Sequence, residues 1–457
     1  MRAKIIRLGL LAICATAWNG IPVLASSRVS WSVWASIPDI LVGLIAPFVF
    51  SSWFLPRRHR PYTRGSPVVL FGILFLLLAA LSTLLALTQA NAPLAQWGYP
   101  AFTAYRFLQA AVVVAAFWRY SDDRHARLCI RLLVMSAVIC AGACLLQNFG
   151  LLDYRILVAH LPSGNAGPWE FRLTILPDAA LGTWNFNRIN VAHFLVIGLL
   201  LIVLKGDLTV RSVLSAATIL GGILCTQSRS VAICAFMAVL FSGILRGQIR
   251  YVAGVIVMVT ILGIGYKVYQ NSKAEGVIEV RAESVTENLE GRAEIQMAAY
   301  DWWKQAGLRP LLIGVGVGNT GYFVFNTGFM PAHGQWITLL VESGIIGTMF
   351  FAALVIAVLF RLPKKDPIQI AIASIFFGLV ASSGFNDLLL PSPTFQNISL
   401  VYSVLIGITF VLRAPRAEFS RRMPAGHFRP DRTTALPVTR PVRGTRLMDR
   451  TPGAGHA

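Results

Sequence analysis

Apolar runs of roughly 20 residues recur along the chain, the length one α-helix needs to cross the hydrocarbon of a bilayer. Twelve such runs are read, at 5–25, 33–55, 67–90, 97–118, 128–149, 187–204, 211–226, 230–245, 250–269, 334–360, 367–386 and 395–412. Most connections between them are short and polar. Two are not, at about 150–186 and 270–333, and loops beyond about 15 residues are usually functional or disordered. The pattern predicts an all-α polytopic membrane protein with about 12 transmembrane helices. N-terminal helices occupy 1–149, a loop 150–186, central helices 187–269, a large loop 270–333 and C-terminal helices 334–412.

The second long loop is patterned. In "GRAEIQMAAYDWWKQAG" the helical period puts Ile295, Ala298, Ala299, Trp302 and Trp303 on one face, with Glu294, Asp301 and Lys304 elsewhere. That is an amphipathic helix whose tryptophans suit a membrane interface, ended by Gly307 and Pro310. Upstream, Glu283, Glu287, Glu290 and Glu294 are spaced as a solvated helix face. "GVGVGN" at 314–319 lacks the strand context and the lysine of a phosphate loop. It is read as a tight glycine turn packing the loop against the membrane.

Composition agrees with a bilayer setting. The chain is 56% hydrophobic and 13% charged, against about 25% charged in soluble domains. The net charge of +20 raises the question of nucleic acid, and its distribution removes it. With the N-terminus inside, well over half of the 40 Lys and Arg fall in the inner segments "MRAKIIR", "PRRHRPYTRG", "RYSDDRHARLCIR", Lys205 with Arg211, "RGQIR", "RLPKKDP" and the tail. This is the positive-inside bias. Residues 413–457 form an arginine- and proline-rich tail, expected to be disordered and cytoplasmic, against anionic lipid. The first 25 residues end in "IPVLASS" like a signal peptide, but apolar helices follow at once, and the segment is read as a retained signal anchor. The six cysteines lie in or at the ends of spans, so no disulfide framework and no metal pair is expected.

Three residues stand out for chemistry. Arg229, in "TQSRS", occupies a short outer connection where no basic excess is expected, beside Thr226, Gln227, Ser228 and Ser230. Its guanidinium suits bidentate phosphate binding; the alternative is an arginine snorkelling to headgroups. Arg292 lies just inside the predicted start of the amphipathic helix, where free N–H groups also favour an anion; the alternative is a surface pair with Glu290 or Glu294. His333 follows Pro331 at the mouth of the tenth span and could act as a general base, or simply bond a nearby carbonyl. No other histidine is spaced to make zinc with it; His160 and His193 lie in or beside the other loop. Asp39, Arg106, Glu342 and Asp387 fall inside spans, where a charge costs about 2.5–3.5 kcal/mol to insert. They are read as structural, with Asp39 and Arg106 as partners.

The order "TQSRS", "GRAEIQMAAYDWWKQAGLRPLLIGVGVGN", "AHGQWITLLVESGIIG" resembles the O-antigen ligase/polymerase superfamily. Its pattern is T-x-S-R at a helix start, a periplasmic loop of the form G-R…P-L-x-G-x-G-x-G, and a histidine before L-x-x-E-x-G-x-x-G. The resemblance covers about 220–350. "FRLTILPDAALGTWNFNRINVAHFL" more loosely resembles the upstream R…G-T…N-x-x-A segment, which brings in Arg172 and Asn190. Where the family usually has asparagine after the histidine, this chain has Gly334, and Gln335 is the expected substitute.

The resemblance implies a glycosyltransferase C-like enzyme of the bacterial inner membrane, both termini cytoplasmic, using no cofactor and no metal. It would move a glycan from undecaprenyl diphosphate to an acceptor glycan or lipid A core among membrane lipids. Arg229 and Arg292 would hold the diphosphate and His333 would activate the acceptor, with Arg172, Asn190, Ser228, Gln335 and Glu342 in support. The family contains both ligases and polymerases of O-antigen or exopolysaccharide. A different class, a transporter or lipid-linked glycan flippase, would also explain the hydropathy, with Asp39, Arg106 and Asp387 as coupling residues. Paired halves are not evident in the sequence, and the large patterned loop speaks for the transferase.

Overall fold

A computed structural model describes residues 1–21, 23–25, 34–51, 67–90, 94–153, 156–157, 180–183, 188–205, 209–226, 228, 230–248, 278–326, 332, 334–361, 366–384 and 396–412. At 24–25, 34, 68–69, 89, 94–100, 102, 278–290, 361 and 396–399 only the backbone is described. The predicted span 250–269, most of the first long loop, Asp387 and the 413–457 tail lie outside these residues.

Fourteen helices are present among the described residues: α1 (Arg2–Ala15), α2 (Ile37–Ser51), α3 (Pro67–Gln89), α4 (Leu94–Tyr120), α5 (Asp123–Asn148), α6 (Arg188–Val203), α7 (Val210–Cys225), α8 (Ser230–Leu245), α9 (Ile278–Gln305), α10 (Leu308–Ile313), α11 (Thr320–Phe325), α12 (Gln335–Arg361), α13 (Pro367–Ser382) and α14 (Gln396–Leu412). A two-residue antiparallel bridge, Leu24–Ala25 with Trp34–Ala35, is the extended element among them. Helix therefore occupies every predicted span that falls within the described residues.

The boundaries differ where local chemistry is stronger than hydropathy. The first run extends to residue 25, but α1 ends at Ala15, before Gly20 and Pro22; Gly20 N donates to Thr183 O instead (2.9 Å). Helix α5 begins five residues before its apolar run because Asp122 caps it, accepting from His125 N at 2.9 Å. The capping box of Thr209 and Ser212 starts α7, and Asp366 followed by Pro367 starts α13.

Among the described residues, three helical stretches are long and apolar enough to cross a membrane: Leu70–Thr88, Asp123–Asn148 and Gln335–Phe360. Six further apolar helices among them are shorter, and a 16-residue helix such as α6 rises about 24 Å against about 30 Å of hydrocarbon. Association relies on small residues. A methyl added at Gly198 or Gly222 would lie 2.5 Å from the Ala137 Cβ or 2.7 Å from the Ala141 Cβ, so α6 and α7 both lie tightly against α5.

Asp39 and Arg106 pair as expected, each with its side chain 1% exposed. Ser36 donates to the Asp39 carboxylate through N and Oγ, both at 2.8 Å, and Arg106 also donates to Gln109 Oε1 at 2.7 Å. Several basic groups of the predicted inner segments gather at one end of the bundle. There Arg7 and His125 join α1 to α5, with His125 Nε2 3.0 Å from Arg7 O. Arg127 reaches Asp366 at 2.5 Å, and Gln369 reaches Leu412 O at 2.9 Å. The opposite end gathers the starts of α6, α8 and α12 and the close of α13.

Removing one partner of a buried ion pair leaves an uncompensated charge. Asp39→Leu is expected to lower unfolding stability in detergent by about 3–5 kcal/mol, and Asp39→Leu with Arg106→Met to recover most of that loss in the same thermal unfolding measurement.

Candidate functional site

The second long loop is anchored to the membrane helices backbone to backbone. Helix α12 breaks at Gly344, whose φ is 64°. Before the break, Val341 O accepts from Val315 N (3.0 Å) and Glu342 O from Gly316 N (2.8 Å), with Ser82 Oγ on Glu342 O at 3.3 Å. The glycine segment thus supplies donors where the helical ladder is interrupted. The approach is so close that a Cβ at Gly314, also at positive φ, would strike the Glu342 carbonyl, and one at Gly344 would strike that of Leu312. Val317 N donates to Thr83 Oγ1 of α3 at 3.0 Å. This is the packing turn read from the sequence.

Glu342 takes part in the same anchor. Its carboxylate accepts from Thr320 Oγ1 at 2.9 Å, joining α12 to the start of α11. It lies two turns from Gln335, about 10 Å along the helix.

Helix α9 extends further than the sequence suggested. It runs from Ile278 to Gln305, so Arg292 lies at mid-helix and not near an N-terminus. Arg292 therefore has no free N–H groups of a helix start beside it to share an anion. The cause is the acidic run itself: its helical spacing carries the helix upstream through Gly291, and no proline interrupts it. On the packed face Ala299 and Trp303 are buried, and Arg292, Ile295, Gln296 and Trp302 are half-buried, while Ala298 is exposed. That face meets Val315, Ala332 and Val341 in a small separate core.

One turn beyond Arg292, the Gln296 carboxamide lies against Gly334. A Cβ built at Gly334 would sit 2.9 Å from Gln296 Nε2 and 3.0 Å from its Cδ. The room an asparagine side chain would need after His333 is thus filled by an amide from α9. Gln296 was not among the sequence candidates, though its position four residues after Arg292 was a readable signal. Gln335, the expected substitute, is 1% exposed, and its N–H donates to Ser383 O at 3.0 Å.

Ser382 and Ser383 close α13 and join three elements. His193 of α6 is wholly buried, with Nδ1 2.7 Å from Ile189 O and Nε2 2.8 Å from Ser382 Oγ. A carbonyl only accepts, so Nδ1 carries the proton and Nε2 accepts from the serine hydroxyl. His193 is a structural tie between α6 and α13. Helix α8 runs antiparallel to α13, with Cys234 O against Gly378, which brings Ser230 to the Ser382 end. Ser228 and Ser230 hydroxyls lie 3.3 Å apart. The segment 180–183 is held beside them: Gln147 Oε1 accepts from Leu181 N (2.9 Å) and Gly182 N (2.8 Å), and Ala180 N donates to Cys225 O (3.1 Å).

Arg172, Arg229, His160 and His333 lie outside the described residues. In the chain, Ser228 and Ser230 flank position 229, and Ala332 and Gly334 flank position 333. Asn190 is placed, and it is unusual. It is 0% exposed, and among the described residues neither Oδ1 nor Nδ2 has a hydrogen-bond partner. Each such group costs about 1–3 kcal/mol of desolvation when left unsatisfied.

Residues 214–352 match the O-antigen ligase family. The matched stretch starts in α7, contains α8 to α11 and ends inside α12. It includes the TQSRS segment, the α9 helix, the glycine anchor and the residues around position 333, whereas Asn190 and His193 precede it. No curated protein matches the chain.

If the Gln296 amide fills the place of a side chain at 334, the two positions are coupled. Gly334→Asn alone is expected to lower the melting temperature through contact with Gln296 and with the Gly384 carbonyl, and Gly334→Asn with Gln296→Ala to recover the share due to Gln296. Additive losses in the double variant would disprove the coupling.

Proposed function

We propose that this O-antigen ligase-family protein transfers a glycan from undecaprenyl diphosphate to an acceptor hydroxyl at the periplasmic face of a bacterial inner membrane. The acceptor is the lipid A core or a growing polysaccharide, the chain crosses the bilayer about twelve times, and both termini are cytoplasmic. Arg229 and Arg292 bind the diphosphate. His333 takes the proton from the acceptor hydroxyl as its oxygen attacks the anomeric carbon. The bond from that carbon to the diphosphate oxygen breaks, and the lipid diphosphate leaves with the electron pair. Direct attack inverts the anomeric centre.

The chemistry asks little else of the protein. Diphosphate is a good leaving group, and two planar guanidinium groups offset the charge that grows on it. A positioned base contributes about 10²–10⁴-fold. The observation that carries this reading is the gathering of neighbours at one end of the bundle. Ser230 beside Arg229, Gly334 beside His333, and Gln296 one turn from Arg292 all belong to the cluster around Ser382, Ser383 and Gln335. The match over 214–352 supports the same class of reaction.

Purified protein supplied with lipid-linked glycan and acceptor is expected to form product without an added energy source. His333→Ala and Arg229→Ala are each expected to reduce transfer at least about 10²-fold with expression intact. Arg292→Lys should not restore Arg292→Ala, because an ammonium lacks the planar fork. Wild-type turnover in His333→Ala would remove the assignment. Movement of unaltered lipid-linked glycan between leaflets, without product, would identify a flippase instead.

A further inference from the structure

We propose that Asn190 is a sugar-recognition residue, whose carboxamide takes a donor and an acceptor from adjacent hydroxyls of the transferred glycan. The proposal rests on the glycan-transfer reading and assigns one contact within it.

Three observations lead here. First, Asn190 lies in the first turn of α6, one turn before His193 on the same helical face. The His193 ring touches Ser382, so that face is turned to the end of α13, where Ser383 receives the N–H of Gln335. Asn190 is therefore at the polar end of the bundle, in the cluster that holds the neighbours of Arg229 and His333. Second, the surrounding polar groups are satisfied: His193 at both nitrogens, Ser382 by the ring, Ser383 Oγ by Val380 O at 2.6 Å, and Thr226 Oγ1 by Ile223 O at 2.7 Å. Third, Asn190 is fully buried, and among the described residues both ends of its amide are unpaired. A folded protein rarely leaves such a group without a use.

The two unpaired atoms select the ligand chemistry. Oδ1 only accepts and Nδ2 only donates. A phosphate offers acceptors alone and would leave Oδ1 unpaired. A hydroxyl both donates and accepts, and neighbouring hydroxyls of a pyranose present the two roles side by side. The amide therefore complements the sugar and leaves the diphosphate to the arginines.

Thermal unfolding of the full-length chain in detergent separates the alternatives. The probes are a polyprenyl diphosphate without sugar and a panel of the same lipid bearing single monosaccharides. Asn190→Leu, of similar volume, is expected to unfold at the wild-type temperature or above when no lipid is present, because it removes two unpaired groups. Bare lipid diphosphate should stabilise wild type and variant equally, and only wild type should gain the further increment from a sugar. Asn190→Asp, which keeps an acceptor and loses the donor, should retain part of that increment. Transfer by Asn190→Leu should fall at least tenfold through KM for the donor.

A full sugar increment in Asn190→Leu would overturn the proposal. So would loss of the bare-lipid increment, which would make Asn190 a phosphate ligand. An unfolding temperature several degrees below wild type without lipid, shared by Asn190→Asp, would make the amide structural and overturn it too. If wild type responded to none of the lipids, the glycan-transfer reading would itself fall, an outcome distinct from all of these.

Discussion

A helix that unwinds in a lipid-facing bundle must find other partners for its interrupted backbone. In α12 those partners are the N–H groups of Val315 and Gly316, which meet the carbonyls of Val341 and Glu342. The rest of the large loop follows from that contact. It fixes α10 and α11 beside α12, brings Thr320 to the Glu342 carboxylate, and gives α9 a surface on which Ala299 and Trp303 can be buried. Because α9 is seated there, Gln296 reaches Gly334.

The helices were legible because apolar runs of that length have few other solutions in lipid. Their ends were less so. Asp122 begins α5 inside a polar stretch that hydropathy assigns to a loop, and the turn after Ala15 ends α1 inside a run that hydropathy continues. Capping and backbone breakers act over three or four residues, below the window that detects a span. The extension of α9 to Ile278 was present in the spacing of its glutamates. A solvated face requires a helix to carry it, so the same spacing sets Arg292 away from the helix start.

The candidate residues were legible as motifs and much less so as an arrangement. The linear order around TQSRS, GRAEIQ and the His333 segment pointed to a family, and the match over 214–352 agrees. Nothing in the linear order reveals that Ser382 and Ser383 form the dock on which Gln335 settles, since serines ending an apolar helix are common. Gln335 was expected to stand in for the amide missing at 334, and Gln296, some forty positions upstream, also lies against that position. A sequence offers adjacent side chains as substitutes; a packed loop can supply one from another helix.

The reciprocal approach of Gly314 and Gly344 has a bearing on how relatives of this protein would be compared. Each glycine is required by the main chain of the other's neighbour, so a side chain at one cannot be relieved by shrinking anything at the other. The two positions cannot trade substitutions across evolutionary time, as a large and a small core residue can. Strict retention of both glycines among homologues would record crowding between two strands of backbone, and would say nothing about catalysis.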